Sequence, residues 1–311
     1  MPGVVAKSGK ITPPVQLELP AGKQEGEVSF SRPFLKWAGG KTQLLPQLAR
    51  FYPPKGSVKR YIEPFLGSGA VFFHFKALVE PRAAILWDNN RELIETFQAV
   101  RDDVESVIEL LREHEREHSK DYFLKMRVKK VKLLAETAAR LIYLNKTCFN
   151  GLYRVNSRGE FNVPFGRYSK PSIVNEAGLR RASKLLEGAE IKVKDFRDLR
   201  SRGLEEDDFV YFDPPYHPRS STSYFTSYTR ASFGEKDQKD LAKLFQALDK
   251  KNCYLMLSNS DTELIQGLYE RFLITKVSAR RNINSRADRR GPIKEMVVLN
   301  DRFVRGGHVG R

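Results

Sequence analysis

The stretch YIEPFLGSGAVFF, residues 61–73, decides the fold of this 311-residue chain. Its first residues predict a short strand, a glycine turn follows at 67–69, and an apolar helix is expected from Ala70. A second strand is predicted at 83–87 and ends in Asp88. Strand, helix and strand in this order predict a βαβ unit, and glycines at the first turn allow a ligand to approach the backbone closely.

The chain beyond this unit continues the same alternation. A helix is predicted at 235–249, and short apolar strands are predicted at 191–193, 209–212, 254–258 and 296–299. Strands that alternate with helices favour a mostly parallel sheet that is covered by helices. The predicted fold class is therefore α/β, with a Rossmann-like sheet.

The pattern changes between the two halves of the predicted sheet. Charged amphipathic helices are predicted at 103–118 and 131–144, and a polar loop with aromatic residues follows at 145–170. We interpret this region as an inserted, mainly helical domain. The predicted organisation is a flexible N-terminal tail at 1–29, a sheet domain at 30–90 and 178–311, and the inserted domain at 91–177.

The composition is strongly basic. The chain has 54 Lys and Arg residues against 38 Asp and Glu residues, which gives a formal charge of +16 at pH 7. Such a charge attracts polyanions, so nucleic acid is the expected partner. A solvated basic surface, or affinity for a membrane surface, remains as the alternative.

The sequence predicts neither a metal site nor a membrane span. Cys148 and Cys253 lack a CxxC spacing and the five histidines are scattered, so no zinc site is expected and a reducing, intracellular compartment is favoured. The longest apolar candidate, 133–144, is interrupted by Glu136 and Arg140. The start of the chain also lacks an apolar signal core.

The glycine turn predicts a nucleotide-like ligand that carries no phosphate. A dinucleotide site prefers a third glycine where Phe72 stands, and Glu63 and Phe65 line the turn. An acidic, apolar lining instead suits the cationic sulfonium of S-adenosylmethionine. Asp88 is suited to accept hydrogen bonds from both ribose hydroxyls, and capping of the next helix is its alternative role.

The upstream stretch FLKWAGGKTQLL contributes to the same predicted site. It offers Trp37 as an apolar wall, a flexible glycine pair at 39–40, and Lys41 to meet a carboxylate. A phosphate loop is the competing interpretation, because a Lys-Thr pair follows the glycines. The pattern GxxxxGK[ST] is absent, however, because Leu35 stands where the first glycine is required.

The stretch VYFDPPYHP, residues 210–218, predicts the chemistry. An aromatic amine such as adenine N6 is a poor nucleophile, because its lone pair is delocalised into the ring. The Asp213 carboxylate and the Pro214 carbonyl can each accept one amine hydrogen, and Tyr216 supplies a stacking face. Direct methyl displacement then needs alignment rather than a metal or a covalent intermediate. A proline turn capped by aspartate is the plain structural alternative.

A base inside a duplex must rotate out of the stack to reach such a pocket, at a cost of a few kcal/mol. The opened DNA must then be held by the protein. The polar loop at 220–230 and the five arginines between 280 and 290 are expected to contact phosphates, with ordinary surface loops as the alternative.

The order of these motifs resembles that of the Dam-type DNA adenine-N6 methyltransferases, the D12 class with the alpha motif order. The resemblance covers about residues 30–300 and rests on FLKWAGGK at 34–41, EPFLGSG at 63–69, Asp88, DF at 195–196, DPPY at 213–216 and SNSD at 258–261. It implies that the sheet domain is an S-adenosylmethionine-dependent catalytic domain. The inserted domain would be a target-recognition domain that carries a β-hairpin.

The resemblance also implies roles for individual residues. The implied catalytic residues are Asp213, Pro214, Pro215 and Tyr216. The implied cofactor-binding residues are Trp37, Ala38, Gly39, Lys41, Glu63, Phe65, Gly67, Ser68, Gly69, Asp88, Asn89, Asp195, Phe196 and Asp213, with Asp195 near the adenine end of the cofactor.

The segment 145–168 is similar to the recognition hairpin of family members that modify adenine in GATC. Arg154 is suited to donate two parallel hydrogen bonds to guanine O6 and N7. The resemblance assigns Phe149 as a wedge, Leu152 and Pro164 to the thymine methyl, and Lys36 to the outer guanine. Arg158, Arg167 and Tyr168 are expected to contact phosphates, with simple surface exposure as the alternative. Asn150 and Asn156 complete the set of implied DNA-binding residues.

The same interpretation leads to four more expectations. The protein is expected to act on double-stranded DNA as a monomer, because the recognition segment lies within one chain. It is expected in the cytoplasm, associated with the nucleoid when bound to DNA, with a restriction endonuclease for the same site as a candidate partner. The alternatives are an inactive DNA-binding regulator and a methyltransferase for RNA or a protein amide.

Overall fold

The structure, a computed structural model, describes residues 33–218, 233–279 and 293–305. Its centre is a seven-stranded sheet in the order β3-β2-β1-β4-β5-β7-β6. The strands are β1 Arg60–Glu63, β2 Ala83–Asp88, β3 Glu190–Val193, β4 Asp208–Phe212, β5 Tyr254–Ser260, β6 Leu273–Ala279 and β7 Ile293–Leu299. The predicted tail at 1–29 and the predicted phosphate-binding segments at 220–230 and 280–290 lie outside the described residues.

The sheet is mostly parallel, as the sequence predicts. Strands β1 to β5 pair in parallel, and β7 pairs antiparallel with both β5 and β6. The six predicted strands are all present, but β6 was missed. This strand lies at the edge of the sheet and most of its side chains are only partly buried, so it lacks the apolar run of a central strand.

The strand order reverses at β1, and this reversal positions the site. Strand β1 pairs with β2 on one side and with β4 on the other. The carboxyl ends of parallel strands lie at the same edge, and ligands of open α/β sheets bind where the strand order reverses. Glu63 at the end of β1 and Asp213 after β4 therefore meet at this edge.

Helices cover both faces of the sheet. The described α-helices are α1 Leu45–Leu48, α2 Ala70–Val79, α3 Arg91–Asp102, α4 Val104–Arg116, α5 Lys120–Val128, α6 Leu134–Thr147, α7 Glu176–Leu186, α8 Glu235–Asp249, α9 Glu263–Tyr269 and α10 Asp301–Arg305. The predicted helices at 103–118, 131–144 and 235–249 correspond to α4, α6 and α8. Among the described helices, none combines the length and apolar character needed to cross a membrane.

The glycine turn before α2 has a specific steric cause. Gly69 caps the helix in the left-handed conformation, with φ of 67°. A Cβ at Gly69 would lie 3.2 Å from the rings of Phe73 and Phe97, which are fully buried. The turn therefore needs glycine both for its backbone conformation and for the close packing of aromatic rings beneath it.

The inserted region shares its core with the sheet region. Helix α3 packs against β2 and β3 as well as against α6. One cluster of buried side chains includes Leu86 of β2, Ile94 of α3 and Leu141 of α6. The division into a sheet domain and an inserted domain at 91–177 therefore remains a prediction.

The predicted hairpin is present as an irregular return of the chain after α6. Isolated antiparallel bridges join Cys148 to Phe165 and Val155 to Phe161. The Asn156 N–H donates to the Glu160 carbonyl at 2.9 Å, and the Glu160 N–H donates to the Asn156 side chain at 3.0 Å, which closes its tip. We call residues 145–168 the recognition segment.

The buried guanidinium of Arg140 holds the inserted helices together. It donates to the carbonyls of Met126 and Arg127 at the end of α5, both at 2.8 Å. It also pairs with the Glu92 carboxylate of α3 at 2.7 Å, with only 9% of the Arg140 side chain exposed. One side chain therefore connects three helices.

We expect Arg140→Met to lower the free energy of unfolding by about 3 kcal/mol, because it leaves two carbonyls and a carboxylate without their donor. Urea unfolding of both proteins measures the difference. Arg116→Met, at an exposed position of α4, is the matched control. A loss below about 1 kcal/mol would contradict the structural role.

Candidate active site

The carboxyl edge of β1 and β4 encloses a small cavity of about 30 Å³. Eight residues of the predicted site line it. They are Trp37, Ala38, Gly39, Lys41, Glu63, Gly67, Ser68 and Asp213. Because these residues come from three separate stretches of sequence, the fold brings together the motifs that the sequence predicted to cooperate.

Lys41 and Asp213 form a largely buried ion pair in this cavity. Lys41 Nζ lies 2.9 Å from Asp213 Oδ2, and the two side chains are 4% and 19% exposed. The same ammonium donates to the Gly39 carbonyl at 2.6 Å and lies 4.7 Å from the centre of the Tyr216 ring. The sequence predicted that Lys41 would meet a carboxylate, and in the structure this carboxylate is that of Asp213.

Asp213 retains an unused acceptor. Its Oδ1 atom is buried and has no hydrogen-bond partner among the described residues. Burial raises the pKa of Asp213 to about 6, although the ammonium of Lys41 opposes the shift. At neutral pH Asp213 is therefore a carboxylate with one oxygen free to accept a hydrogen bond.

Side chains from α8, β5 and β7 hold the loop that follows Asp213. Gln238 Nε2 donates to the Pro215 carbonyl at 2.9 Å. Ser260 Oγ donates to the His217 carbonyl at 2.6 Å. The Tyr216 hydroxyl donates to the Glu295 carboxylate at 2.6 Å.

Sequence reasoning missed two of these supporting residues. Gln238 and Glu295 belong to none of the sequence motifs, and the contact between Tyr216 and Glu295 spans 79 positions. Asn259 was recognised only as part of the SNSD motif. In the structure its side chain donates to Gln238 at 3.0 Å and accepts the His217 N–H at 3.4 Å, so it joins the same support.

Asp88 is bound to the glycine turn through its own carboxylate. Its Oδ2 accepts the Gly67 N–H at 3.1 Å, and its Oδ1 accepts the Asn90 N–H at 2.9 Å. Asn90, and not Asp88, caps α3 by accepting the Leu93 N–H. Asn89 lies exposed between them. Each Asp88 oxygen has a second lone pair, so the carboxylate can still accept from a ligand.

Glu63 adds a buried carboxyl group to the cavity. It accepts the Tyr61 hydroxyl at 2.9 Å. Burial, with the nearby negative charges of Asp213 and Asp88, raises the pKa of Glu63 well above its usual value. Three carboxyl groups therefore converge on one edge of the sheet, which favours a cationic ligand over an anionic one.

Phe65 and Phe196 form an aromatic wall beside the glycine turn, with stacked rings 5.4 Å apart. Asp195 is partly exposed next to this wall and accepts the Arg197 N–H at 2.9 Å. The Arg197 guanidinium lies 4.4 Å from the Phe196 ring and pairs with Asp240 of α8 at 2.9 Å. The predicted cofactor residues Phe65, Asp195 and Phe196 thus lie together, outside the lining of the small cavity.

The recognition segment is fastened to the residues that line the cavity. The rings of Trp37 and Tyr153 stack 4.9 Å apart, at 25° to each other. The Tyr153 hydroxyl donates to Glu92 at 2.9 Å. Asn145, fully buried, donates to the carbonyls of Lys36 and Gly151, each at 2.9 Å.

The predicted DNA-binding residues lie mainly on one exposed surface. Phe149, Leu152 and Tyr168 are 51%, 40% and 37% exposed. Lys36 Nζ lies 5.8 Å from the Tyr168 ring, whose hydroxyl accepts the Asn150 N–H at 3.0 Å. Arg158, Pro164 and Arg167 are also exposed, and Asn156 is partly buried.

Arg154 is exposed but held in place. Its Nε donates to Asn162 Oδ1 at 2.7 Å, and one terminal nitrogen donates to the Asn162 carbonyl at 3.1 Å. A guanidinium has five N–H groups, so others remain for a ligand. Asn162 was not predicted as a site residue.

The comparison with known families decides the class of protein. A profile of the family described as D12 class N6 adenine-specific DNA methyltransferase matches residues 37–283. The chain belongs to this family. The predicted resemblance is confirmed, and the seven-stranded sheet is consistent with a Rossmann-like methyltransferase fold.

Named relatives agree with this assignment over most of the chain. The Type II methyltransferase M.MjaIII of Methanocaldococcus jannaschii is 43% identical over 293 residues, which cover 86% of this chain and 99% of the relative. M1.LlaDCHI, a Type II methyltransferase of Lactococcus lactis subsp. cremoris, is 43% identical over 277 residues, or 86% and 95% of the two chains. The DNA adenine methylase of Escherichia coli (strain K12) is 35% identical over 273 residues, or 86% and 95%.

The chain is thus an adenine-specific DNA methyltransferase, and the predicted enzyme class is confirmed. This class acts on an exocyclic amine of DNA, which favours it over the alternative substrates, RNA or a protein amide. Within the described ranges, no group of three or more His, Cys, Asp and Glu side chains is placed to hold a metal ion.

We expect kcat/KM of this methyltransferase to fall as the pH decreases through about 6, because Asp213 must be ionised to accept an amine hydrogen and burial raises its pKa to about 6. Initial rates on duplex DNA from about pH 5 to about pH 8 measure the effect. Circular dichroism at each pH controls for unfolding. A profile that is flat through this range would contradict the role of Asp213.

Proposed function

We propose that this methyltransferase transfers a methyl group from S-adenosylmethionine to adenine N6 within GATC in duplex DNA, by base flipping and direct displacement. The supporting observation is the free Oδ1 acceptor of Asp213 at the carboxyl edge of the sheet. It lies where the strand order reverses, beside the glycine turn. No other described carboxylate combines this position with a buried, unpartnered oxygen.

Asp213 acts by polarising the target amine. Its free oxygen and the Pro214 carbonyl each accept one N6 hydrogen, which favours a tetrahedral nitrogen whose lone pair is directed at the methyl carbon. Tyr216 supplies a face for the base, and such stacking is worth about 1 to 3 kcal/mol. The surplus proton leaves after transfer, through Asp213 or water. Alignment of the two reactants is the main contribution of the protein.

The residues of the site fit S-adenosylmethionine. When bound, this cofactor supplies an activated methyl group on a cationic sulfonium, and loss of that methyl group leaves the neutral thioether S-adenosylhomocysteine. Glu63, Asp88 and Asp213 place carboxyl groups near that cation, which favours their ionised forms, and Phe65 and Phe196 provide an aromatic wall for an adenine ring. Asp88 is free to accept from ribose hydroxyls through its second lone pairs.

We propose that the site opens during the reaction. The cavity of about 30 Å³ has room for a few water molecules and is open to solvent on one side. The side chain that fills the space between Asp213 and the Tyr216 ring is Lys41. We propose that Lys41 leaves Asp213 for the carboxylate of the cofactor, which frees the space for the base.

The DNA is proposed to lie across the exposed surface of the recognition segment. A formal charge of +16 supports backbone contacts. Phe149, with half of its surface exposed, is proposed to wedge into the stack where the target base leaves it. The GATC assignment rests on the similarity of residues 145–168 to the hairpin of GATC-modifying family members.

We further propose that the enzyme works as a monomer inside the cell. The names of two relatives as Type II methyltransferases support a restriction endonuclease for the same site as a partner. The proposed boundaries of the target-recognition domain are residues 91–177, within a catalytic domain formed by 30–90 and 178–311.

Methylation mapping at base resolution tests the proposed site. DNA from cells that express the chain should carry N6-methyladenine at GATC, and Asp213→Asn should abolish it. Methylated adenines outside GATC at equal frequency would remove the specificity while leaving the activity. Failure of labelled S-adenosylmethionine to bind would remove the cofactor assignment.

We expect Arg154→Ala to reduce the preference for GATC over sites with a changed guanine by about tenfold or more, because a bidentate guanine contact discriminates by about 1 to 3 kcal/mol. Ratios of kcat/KM on matched duplexes measure the preference. Arg158→Ala, which removes a proposed phosphate contact, is the matched control and should weaken binding equally on all duplexes. Equal discrimination by wild type and Arg154→Ala would refute the assignment.

A further inference from the structure

The Tyr216 hydroxyl lies between two carboxylates but has only one proton to donate. It donates to Glu295 at 2.6 Å. It also faces Asp213, whose pKa it lowers against the larger effect of burial. Burial keeps the phenol protonated, because it raises the pKa of Tyr216 well above its usual value. Glu295 and Asp213 therefore compete for one donor.

The position of Glu295 is fixed by the antiparallel pairing of the sheet. Strand β7 pairs with β5 so that Glu295 is opposite Ser260, which donates to the His217 carbonyl. The next strand on its other side, β6, places Val277 opposite Glu295. Pairing with both neighbouring strands thus fixes the backbone of Glu295 beside the loop that follows Asp213, and its carboxylate contacts that loop at Tyr216.

The geometry resolves the competition in favour of Glu295. Its short hydrogen bond occupies the phenol proton, and Asp213 Oδ1 is left without a partner among the described residues. An unpaired buried oxygen is costly, because its desolvation is not compensated. Such an oxygen is an available acceptor for an incoming amine.

We propose that Glu295 is a positioning residue of the methyl transfer. By accepting the proton of the Tyr216 hydroxyl, it fixes the ring and keeps the free oxygen of Asp213 available for the N6 amine of the target adenine. This inference rests on the proposed role of Asp213 as the acceptor of that amine. Without Glu295, the Tyr216 hydroxyl turns to Asp213 and occupies the oxygen that the substrate needs.

Glu295 also contributes charge to the surroundings of Asp213. The titratable groups that face Asp213 are Lys41 from the first loop, Glu63 from β1, Tyr211 from β4, Tyr216 from its own loop and Glu295 from β7. The negative charge of Glu295 raises the pKa of Asp213, and the ammonium of Lys41 lowers it. Removal of the Glu295 charge therefore lowers the pKa of Asp213.

A double-mutant cycle with Tyr216→Phe tests the proposal, because this change removes the phenol and keeps the ring. We expect Glu295→Ala to reduce kcat about tenfold or more, and Tyr216→Phe to reduce it less. In the Tyr216→Phe background, Glu295→Ala should cost no more than about twofold, since no hydroxyl remains to occupy Asp213. Independent, multiplicative losses would overturn the proposal.

The pH profile and the conservative variant give a second readout. Glu295→Gln keeps an acceptor for the phenol but removes the charge, so we expect most of kcat to be retained. The acidic limb of kcat/KM, expected near pH 6, should move to lower pH. An unmoved limb, or a loss as large as that of Glu295→Ala, would show that the carboxylate has only a structural role.

Three controls separate other causes of lost activity. Glu270→Ala, at an exposed carboxylate after α9, should leave kcat and the pH profile unchanged. Thermal unfolding of Glu295→Gln should match wild type, which keeps the test valid if Glu295→Ala fails to fold. Asp213→Asn distinguishes the two proposals. Full activity in that variant would refute the proposed function itself. If Asp213→Asn is inactive but Glu295→Ala and Tyr216→Phe act independently in the double-mutant cycle, only the role of Glu295 is refuted.

Discussion

The parallel pairing of β1 with β4 is the constraint on which the rest of the structure depends. It places Ile62 beside Val210 in the sheet, so the chain leaves both strands at the same edge. The polar groups of the site then come from the segments that leave these strands, a glycine turn after β1 and Asp213 after β4. The ion pair between Lys41 and Asp213 connects the loop before α1 to the same edge of the sheet.

Much of the fold was predictable because central strands are buried on both faces. The residues of β4 are all buried, and an apolar run of this kind has a clear signature in the sequence. The same logic failed for β6, where an edge position leaves Leu273 and Ile274 only partly covered. The glycine turn at Gly69 could also be predicted, because this position has a left-handed backbone and packs closely against two aromatic rings.

Only those residues of the site that lie in short sequence motifs could be predicted from the sequence. The motifs identified Lys41, Glu63 and Asp213, which the fold brings into one cavity. They did not identify the partner of each group. Lys41 reaches Asp213 from a loop that is far away in the sequence, and Glu295 reaches Tyr216 because of the register in which β7 pairs with β5. Register depends on the whole sheet, so it leaves no local signature near either residue.

The stack of Trp37 on Tyr153 has a consequence for how such enzymes acquire new target sequences. Trp37, which lines the cavity, and Tyr153, next to Arg154, form one packed unit. The Tyr153 hydroxyl is bound to Glu92, which pairs with Arg140. A hairpin from another family member, placed at residues 145–168, would pack against Trp37 of this chain and not against the residue with which it packs in its own chain. The proposed role of residues 145–168 in reading the target therefore predicts that an exchange of specificity between homologues must transfer the residues around Trp37 together with the hairpin.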